Sequence, residues 1–272
     1  MTNGRPGPEL GEVVSIIGPD GATATVARHG GHVVSWRTAD GLERLFVSDR
    51  ATIAAGAAIR GGIPVCFPQF AGLGPLPKHG FARTSTWTPV GPSTLALDVG
   101  ADAWPGWPHP CRLTIDVVLG PSTLTTTLRV VNTGGEPFAF TGALHTYLAC
   151  HDVTAVTVSG LDGRAIHGGA QVAGDIRFGD GSSDVDLAVL EVTGPIRVDG
   201  LERTGGAAVV CTHSGFRDAV VWNVGSTLGA SMGDLGAGQW RNYVCVEAAA
   251  VGRAVLVEPA DTWVGSQALV VS

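Results

Sequence analysis

Arg112 to Leu119 reads RLTIDVVL and Thr123 to Val131 reads TLTTTLRVV, two runs that alternate apolar and polar residues around Gly120-Pro121-Ser122. Side chains point to opposite faces of a strand in turn, so each run buries one face and wets the other, and the Gly-Pro-Ser break reverses the chain between them. The second run ends at Asn132-Thr133-Gly134-Gly135, a further turn signal that extends the hairpin into a meander. Val153 to Ser159 (VTAVTVS) alternates in the same way. Outward from this centre, strands are expected over 13–17, 22–27, 31–36, 94–99, 139–149, 187–192, 207–212, 219–223, 243–248, 253–258 and 266–271. So many short strands predict two packed sheets. Helical periodicity is sustained for three turns nowhere, and the best short candidate, Ser226 to Leu235, carries two glycines. The expected fold is therefore all-β, a large antiparallel β-sandwich with minor helix, forming one domain over 1–272 with 1–12 flexible.

With 44% hydrophobic residues, 15% charged residues and a formal charge of −7, the chain has enough apolar material for a core, which excludes disorder. It contains no apolar run of the roughly 18 residues a membrane helix needs, and its opening MTNGRPGPELGE lacks a basic segment followed by an apolar one. Cys66, Cys111, Cys150, Cys211 and Cys245 are odd in number and never form a CxxC pair, so a disulfide framework is not expected and a cytoplasmic setting is. An acidic chain repels nucleic acid and anionic lipid, so neither is an expected partner, and a monomer is anticipated. Any anion it binds must be met by a local cluster of positive charge.

That cluster lies in Ala51 to Arg83, a Gly- and Pro-rich stretch without period and longer than ordinary connections, as functional loops often are. Arg60, Lys78 and Arg83 stand there without an intervening carboxylate, beside His79, and Lys78 is the only lysine in the chain. Arg presents a planar fork that suits phosphate oxygens and Lys a compact charge, so the cluster is a candidate anion site; the alternative is that the arginines pair with acids elsewhere and Lys78 is solvated. Alternation places His145 on one face with Tyr147, and Glu247 on one face with Tyr243 and Cys245. A carboxylate on an apolar strand is desolvated toward neutrality, which makes Glu247 a candidate general base and a facing His145 a candidate general acid. The alternative is an Arg-paired Glu247 and a hydrogen-bonded core histidine. No HxH, HExxH, Walker loop or GxGxxG occurs, so neither a metal nor a nucleotide is expected.

Taken together, Ile59-Arg60-Gly61-Gly62-Ile63-Pro64, Cys66-Phe67-Pro68-Gln69-Phe70, Leu76-Pro77-Lys78-His79-Gly80-Phe81-Ala82-Arg83, Trp107-Pro108-His109, Gly142-Ala143-Leu144-His145-Thr146-Tyr147, Val220-Val221-Trp222-Asn223 and Val244-Cys245-Val246-Glu247 resemble the motifs of the hexose-6-phosphate mutarotases, or glucose-6-phosphate 1-epimerases, of the aldose 1-epimerase superfamily. The resemblance covers roughly 13–271. It implies a galactose-mutarotase-like sandwich, an isomerase that interconverts hexose 6-phosphate anomers without a cofactor, His145 and Glu247 as the catalytic pair, and Arg60, Lys78, His79, Arg83 and Asp186 as substrate-binding positions. Two departures stand out. The family's Asp-Arg-Val-Tyr aligns with Asp186-Leu187-Ala188-Val189, and its Pro-Trp after Trp-Asn is replaced by Val224-Gly225. A non-catalytic sugar-phosphate-binding module and an epimerase of unphosphorylated aldoses are the rival readings.

Overall fold

A computed structural model describes residues 11–52, 54, 56–202 and 207–272. The expectation of a flexible start over 1–12 falls mostly on 1–10, outside the described residues. The meander forms with the alternation intact. In Cys111–Gly120 and Thr123–Asn132 the apolar members Leu113, Ile115, Leu128 and Val130 are fully buried, and Leu113 pairs with Val130 and Ile115 with Leu128. These two strands sit within a nine-stranded antiparallel sheet. Six further strands form a second sheet, in the order Val185–Val189, Asp218–Asn223, Tyr243–Val257, Phe138–Leu144 and Val65–Cys66, with Tyr147–Ala149 also paired to Tyr243–Val257. Val13–Ile17, Thr23–Ala27 and His32–Arg37 make a third sheet, so the two sheets expected are accompanied by a small extra one.

The two large sheets share one hydrophobic core, to which Leu113, Ile115, Leu128 and Leu269 contribute from one side and Phe140, Leu144, Val246 and Ala248 from the other. A polar link crosses it. Gln267 Nε2 donates to the Val246 carbonyl at 2.9 Å and Thr146 Oγ1 donates to Gln267 Oε1 at 2.5 Å, so the buried amide ties the nine-stranded sheet to the backbone beside His145. A buried amide left unpaired is costly, and satisfying both ends fixes the relative position of the two sheets.

Several expected elements come out differently. Val153 to Ser159 is a 3-10 turn, Val153–Ala155, followed by the short strand Thr157–Ser159. Asp152 caps that turn by accepting from the Thr154 N–H at 3.0 Å, and this local bond prevails over the alternation. The strands expected at 243–248 and 253–258 are one strand, Tyr243–Val257, with an irregularity between Ala250 and Val255. Asp218 takes up the donors freed there, accepting from the Val251 and Gly252 N–H groups at 2.8 Å each. The run at 139–149 is interrupted at His145-Thr146. Helix is limited to Gly225–Gly229 and three 3-10 turns among the described residues, so only the start of the 226–235 candidate is helical. No described helix is long and apolar enough to cross a membrane.

Candidate active site

Strand register builds the floor of the site. Leu144 pairs with Ala248 and Tyr147 with Cys245, so the uninterrupted register sets His145 opposite Glu247. Glu247 is also the partner of Val220, and Val220 of Ala188; one step along, Cys245 pairs with Trp222 and Trp222 with Asp186. Residues opposite one another in a ladder share a face, as do those two apart along a strand. His145, Glu247 and Val220 therefore form one row and Tyr147, Trp222 and Asp186 the next, on the face turned away from the Gln267 link. The break at His145-Thr146 keeps register, because the Val246 N–H still donates to the Thr146 carbonyl at 3.1 Å.

Above these rows lies a cleft of about 140 Å³. His145, Glu247, Arg60, Lys78, His79, Arg83 and Asp186 all line it, together with Trp222, Val220, Phe70 and Met232. The structure thus brings together every candidate residue of the sequence reading. Nδ1 of His145 is 3.2 Å from Oε1 of Glu247, and the two side chains are 8% and 1% exposed. Their alignment is not that of a hydrogen bond: His145 Nδ1 and Glu247 Oε2 are both buried without a partner. Tyr147 stacks on the imidazole at 4.9 Å and 10°, and Trp222 meets its edge at 5.8 Å, so the ring is held on two sides.

Burial pushes the Glu247 carboxyl well above the ordinary carboxylate range, with Asp186 adding to the shift and Arg83 opposing it. The same burial pushes His145 well below the ordinary imidazole range, helped by His79, Arg83 and Arg60. Both shifts favour the uncharged form. The two side chains therefore sit where either can exchange a proton with a bound group.

The walls come from the Gly- and Pro-rich segment, which is irregular as expected apart from Val65–Cys66 and the 3-10 turn Ala82–Thr84. His79 adopts a left-handed backbone with φ of 65°. Its N–H donates to the Ala71 carbonyl at 3.0 Å and its Nδ1 accepts from the Ala71 N–H at 3.2 Å. Burial, then Arg83, Lys78 and Arg60, lower its pKa to about 3, so the ring is neutral and the proton sits on Nε2. That leaves a fixed donor for a substrate oxygen. Arg83 donates to the Lys78 carbonyl at 2.9 Å and keeps a buried, unpartnered Nε. Asp186, facing this wall, has a pKa raised by burial against the opposing charge of Lys78.

Arg60 is not a free cation. It donates through Nε to Asp234 at 3.0 Å and through Nη1 to the Tyr147 hydroxyl at 2.9 Å. For this arginine the ion-paired alternative is the one the structure has. Burial disfavours its charge, but Tyr147 and Asp234 outweigh that and hold its pKa above the ordinary guanidinium value.

A turn that belongs to none of the quoted motifs supports these walls. Within His29-Gly30-Gly31-His32, His32 Nε2 bonds the Gly61 carbonyl at 2.7 Å and His29 Nε2 the Ala57 carbonyl at 2.7 Å. A Cβ at Gly30 would lie 2.7 Å from the Arg83 carbonyl oxygen. Two adjacent glycines between histidines were the available signal, and it names a close approach rather than a ligand. Gly61 is as tightly placed, with φ of 115° and space for a Cβ only 2.2 Å from the Phe46 carbonyl oxygen. Gly61→Ala is expected to cost on the order of 3 kcal/mol, visible as a lower denaturation midpoint, because backbone strain and a backbone clash combine there. The Val224-Gly225 departure has a similar cause. Gly225 has φ of 66° and a Cβ there would meet the Ser183 carbonyl carbon at 2.5 Å, so the segment before Asp186 packs where a larger residue would stand.

Residues 12–168 match the aldose 1-epimerase family profile, over the segment that carries Arg60, Lys78, His79, Arg83 and His145. The chain belongs to the aldose 1-epimerase family. Membership makes it an isomerase of the epimerase and mutarotase type. A relative from Cenchrus ciliaris, provisionally named glucose-6-phosphate 1-epimerase, is 35% identical, with 95% of this chain and 84% of the relative aligned. An Escherichia coli K12 relative of the same provisional name is 32% identical over 83% of this chain and 79% of its own length. Among solved structures, a protein from Salmonella typhimurium described provisionally as a mutarotase superposes with a TM-score of 0.83 at 27% identity, covering 96% of this chain and 90% of its own. A Synechocystis sp. PCC 6803 protein shares the fold at a TM-score of 0.77 and 20% identity, covering 100% and 99% of the two chains. For this aldose 1-epimerase family member the fold is that of the galactose-mutarotase-like sandwiches. Among its described residues no group of three or more His, Cys, Asp or Glu side chains is disposed to hold a metal ion.

Proposed function

We propose that the protein interconverts the α and β anomers of a hexose 6-phosphate, with His145 and Glu247 as the proton-transfer pair. The observation that carries this reading is the buried pair, 3.2 Å apart, at the floor of a cleft whose wall presents Lys78 and Arg83. Starting from the uncharged form that burial favours for each group, the neutral imidazole takes the proton from the O1 hydroxyl while the Glu247 carboxyl gives its proton to the ring oxygen. The C1–O5 bond breaks, C1 becomes the aldehyde carbon, and the pair is left as imidazolium and carboxylate. Rotation about C1–C2 turns the other aldehyde face to the O5 hydroxyl. Glu247 then takes the O5 proton as the ring closes and His145 returns a proton to O1, restoring the pair. No proton is gained or lost overall. Proton transfer by positioned groups contributes roughly 10² to 10⁴ in rate at each step, and holding the sugar against both groups supplies the orientation.

His79 Nε2–H is suited to a sugar oxygen, and Asp186 to accepting from a hydroxyl. Arg83 and Lys78 hold the phosphate, a role supported by the provisional names of the relatives at 35% and 32% identity. An epimerase of unphosphorylated sugars would have no use for these two cations.

The pH dependence of kcat/KM tests the shared proton. Because the His145 pKa is depressed, the second proton that inactivates the pair arrives below the ordinary imidazole value; because the Glu247 pKa is raised, the single proton leaves above the ordinary carboxylate value. The expected profile is a bell with an acid limb from His145 and an alkaline limb from Glu247. The phosphate ester itself titrates near roughly pH 6, as phosphorylated side chains do, so the limbs are assigned by comparison with Glu247→Gln, which should lose the alkaline one. An unchanged alkaline limb in that variant would assign it to another group.

A further inference from the structure

Of the three cations in the cleft, Arg60 alone is ion-paired to a carboxylate among the described residues, and each of its three nitrogens has a partner. Nε donates to Asp234 Oδ2 at 3.0 Å, Nη2 lies 2.9 Å from the same oxygen, and Nη1 donates to the Tyr147 hydroxyl at 2.9 Å. Lys78 and Arg83, by contrast, are ion-paired to no carboxylate among the described residues. Asp234 is 40% exposed, so burial does not fix it. Its segment does. Two residues on, the Gly236 N–H donates to Ser48 Oγ at 3.2 Å and to Gln239 Oε1 at 3.0 Å, and the same Gln239 oxygen accepts from Ser48 Oγ at 3.1 Å. The Ser48 N–H in turn donates to the Arg60 carbonyl at 2.9 Å. The carboxylate is thus tethered to the loop that carries the arginine it neutralises.

The location of this pair matters because Tyr147, which takes the third Arg60 bond, is stacked on His145. A free Arg60 would offer a forked donor for phosphate oxygens beside Tyr147 and His145. A phosphate seated there would compete with one held by Lys78 and Arg83.

We propose that Asp234 is a specificity-determining residue: by occupying the Arg60 donors it denies phosphate a second seat beside His145 and leaves Lys78 and Arg83 as the phosphate anchor. Asp234 makes no contact with the reacting atoms; it sets the orientation in which the substrate is held. The assignment rests on the hexose 6-phosphate reading of the cleft and adds to it a residue that carries no family motif in this sequence.

Asp234→Asn keeps the shape and an oxygen for Arg60 but removes the competing charge. Calorimetric titration with inorganic phosphate should show binding about tenfold tighter in the variant than in the unmodified protein, since one charge-assisted contact is gained without displacing a carboxylate. With hexose 6-phosphate as substrate, kcat and KM should fall by the same factor, the signature of a competing non-productive complex. Asp234→Asn combined with Arg60→Ala should return phosphate affinity to the unmodified level, because the added seat is on Arg60. Unchanged or weaker phosphate binding in Asp234→Asn overturns the assignment, as does tight binding that survives the loss of Arg60. Phosphate binding by the unmodified protein separates the two levels: if it binds no phosphate and exchanges free hexoses as fast as their 6-phosphates, the substrate reading itself fails, whereas a phosphate-binding parent with an indifferent Asp234→Asn removes only the role given to Asp234.

Discussion

Glu247→Gln and His145→Ala should each lower anomer exchange by roughly 10² to 10⁴ while leaving the denaturation midpoint near that of the parent, since each removes one of the two groups that share the working proton. Gln fills the space of Glu247 and can donate a hydrogen bond, but it cannot surrender a proton to the ring oxygen. The double variant should lose little beyond the worse single one. A pair that passes one proton back and forth acts as a unit, and such losses do not add. Glu247 is 1% exposed and its Oε2 makes no hydrogen bond within the protein, so the neutral Gln is no harder to bury than the protonated acid it replaces. Activity is measured as the rate at which freshly dissolved α anomer approaches equilibrium. Near-parental exchange in either variant would remove that residue from the chemistry.

Arg83→Ala should separate substrates. Its guanidinium lines the cleft and, among the described residues, is ion-paired to no carboxylate, so it has unused capacity for an anion. Hydrogen bonds to charged groups are worth about 1.5–3 kcal/mol, so losing one should raise KM for a hexose 6-phosphate by roughly 10- to 100-fold. KM for the unphosphorylated hexose should change little. Arg60→Ala is expected to behave otherwise, raising KM for both sugars, because Arg60 is already neutralised by Asp234 and supports the Tyr147 hydroxyl that packs against His145. Equal losses on the two sugars in Arg83→Ala would contradict its placement at the phosphate.

Much of the site was legible because strand alternation has a short, rigid period. His145 with Tyr147, and Glu247 with Cys245, come to one face by counting alone, and the family motifs then put the two strands in one site. The register that sets His145 opposite Glu247 was not legible, since pairing between strands about a hundred residues apart depends on the whole sheet. Strands of two residues such as Val65–Cys66 are too short to show any period. The division of Val153 to Ser159 followed from an Asp152 cap that alternation cannot register. Asp234 escaped notice for a different reason. It is 174 residues from Arg60 and belongs to no motif, and only the requirement that a half-buried guanidinium find a partner hinted that such an acid must exist.

The central claim is that this cleft exchanges anomers of a phosphorylated hexose, and magnetisation-exchange NMR between the α and β signals of glucose 6-phosphate, run beside glucose and galactose, tests it most directly. The account predicts exchange cross-peaks for the phosphate ester that grow with protein concentration and vanish with Glu247→Gln, at substrate levels where the two free sugars show only their spontaneous rate. Exchange of free glucose or galactose equal to that of the ester, or no acceleration of any of the three, would contradict it.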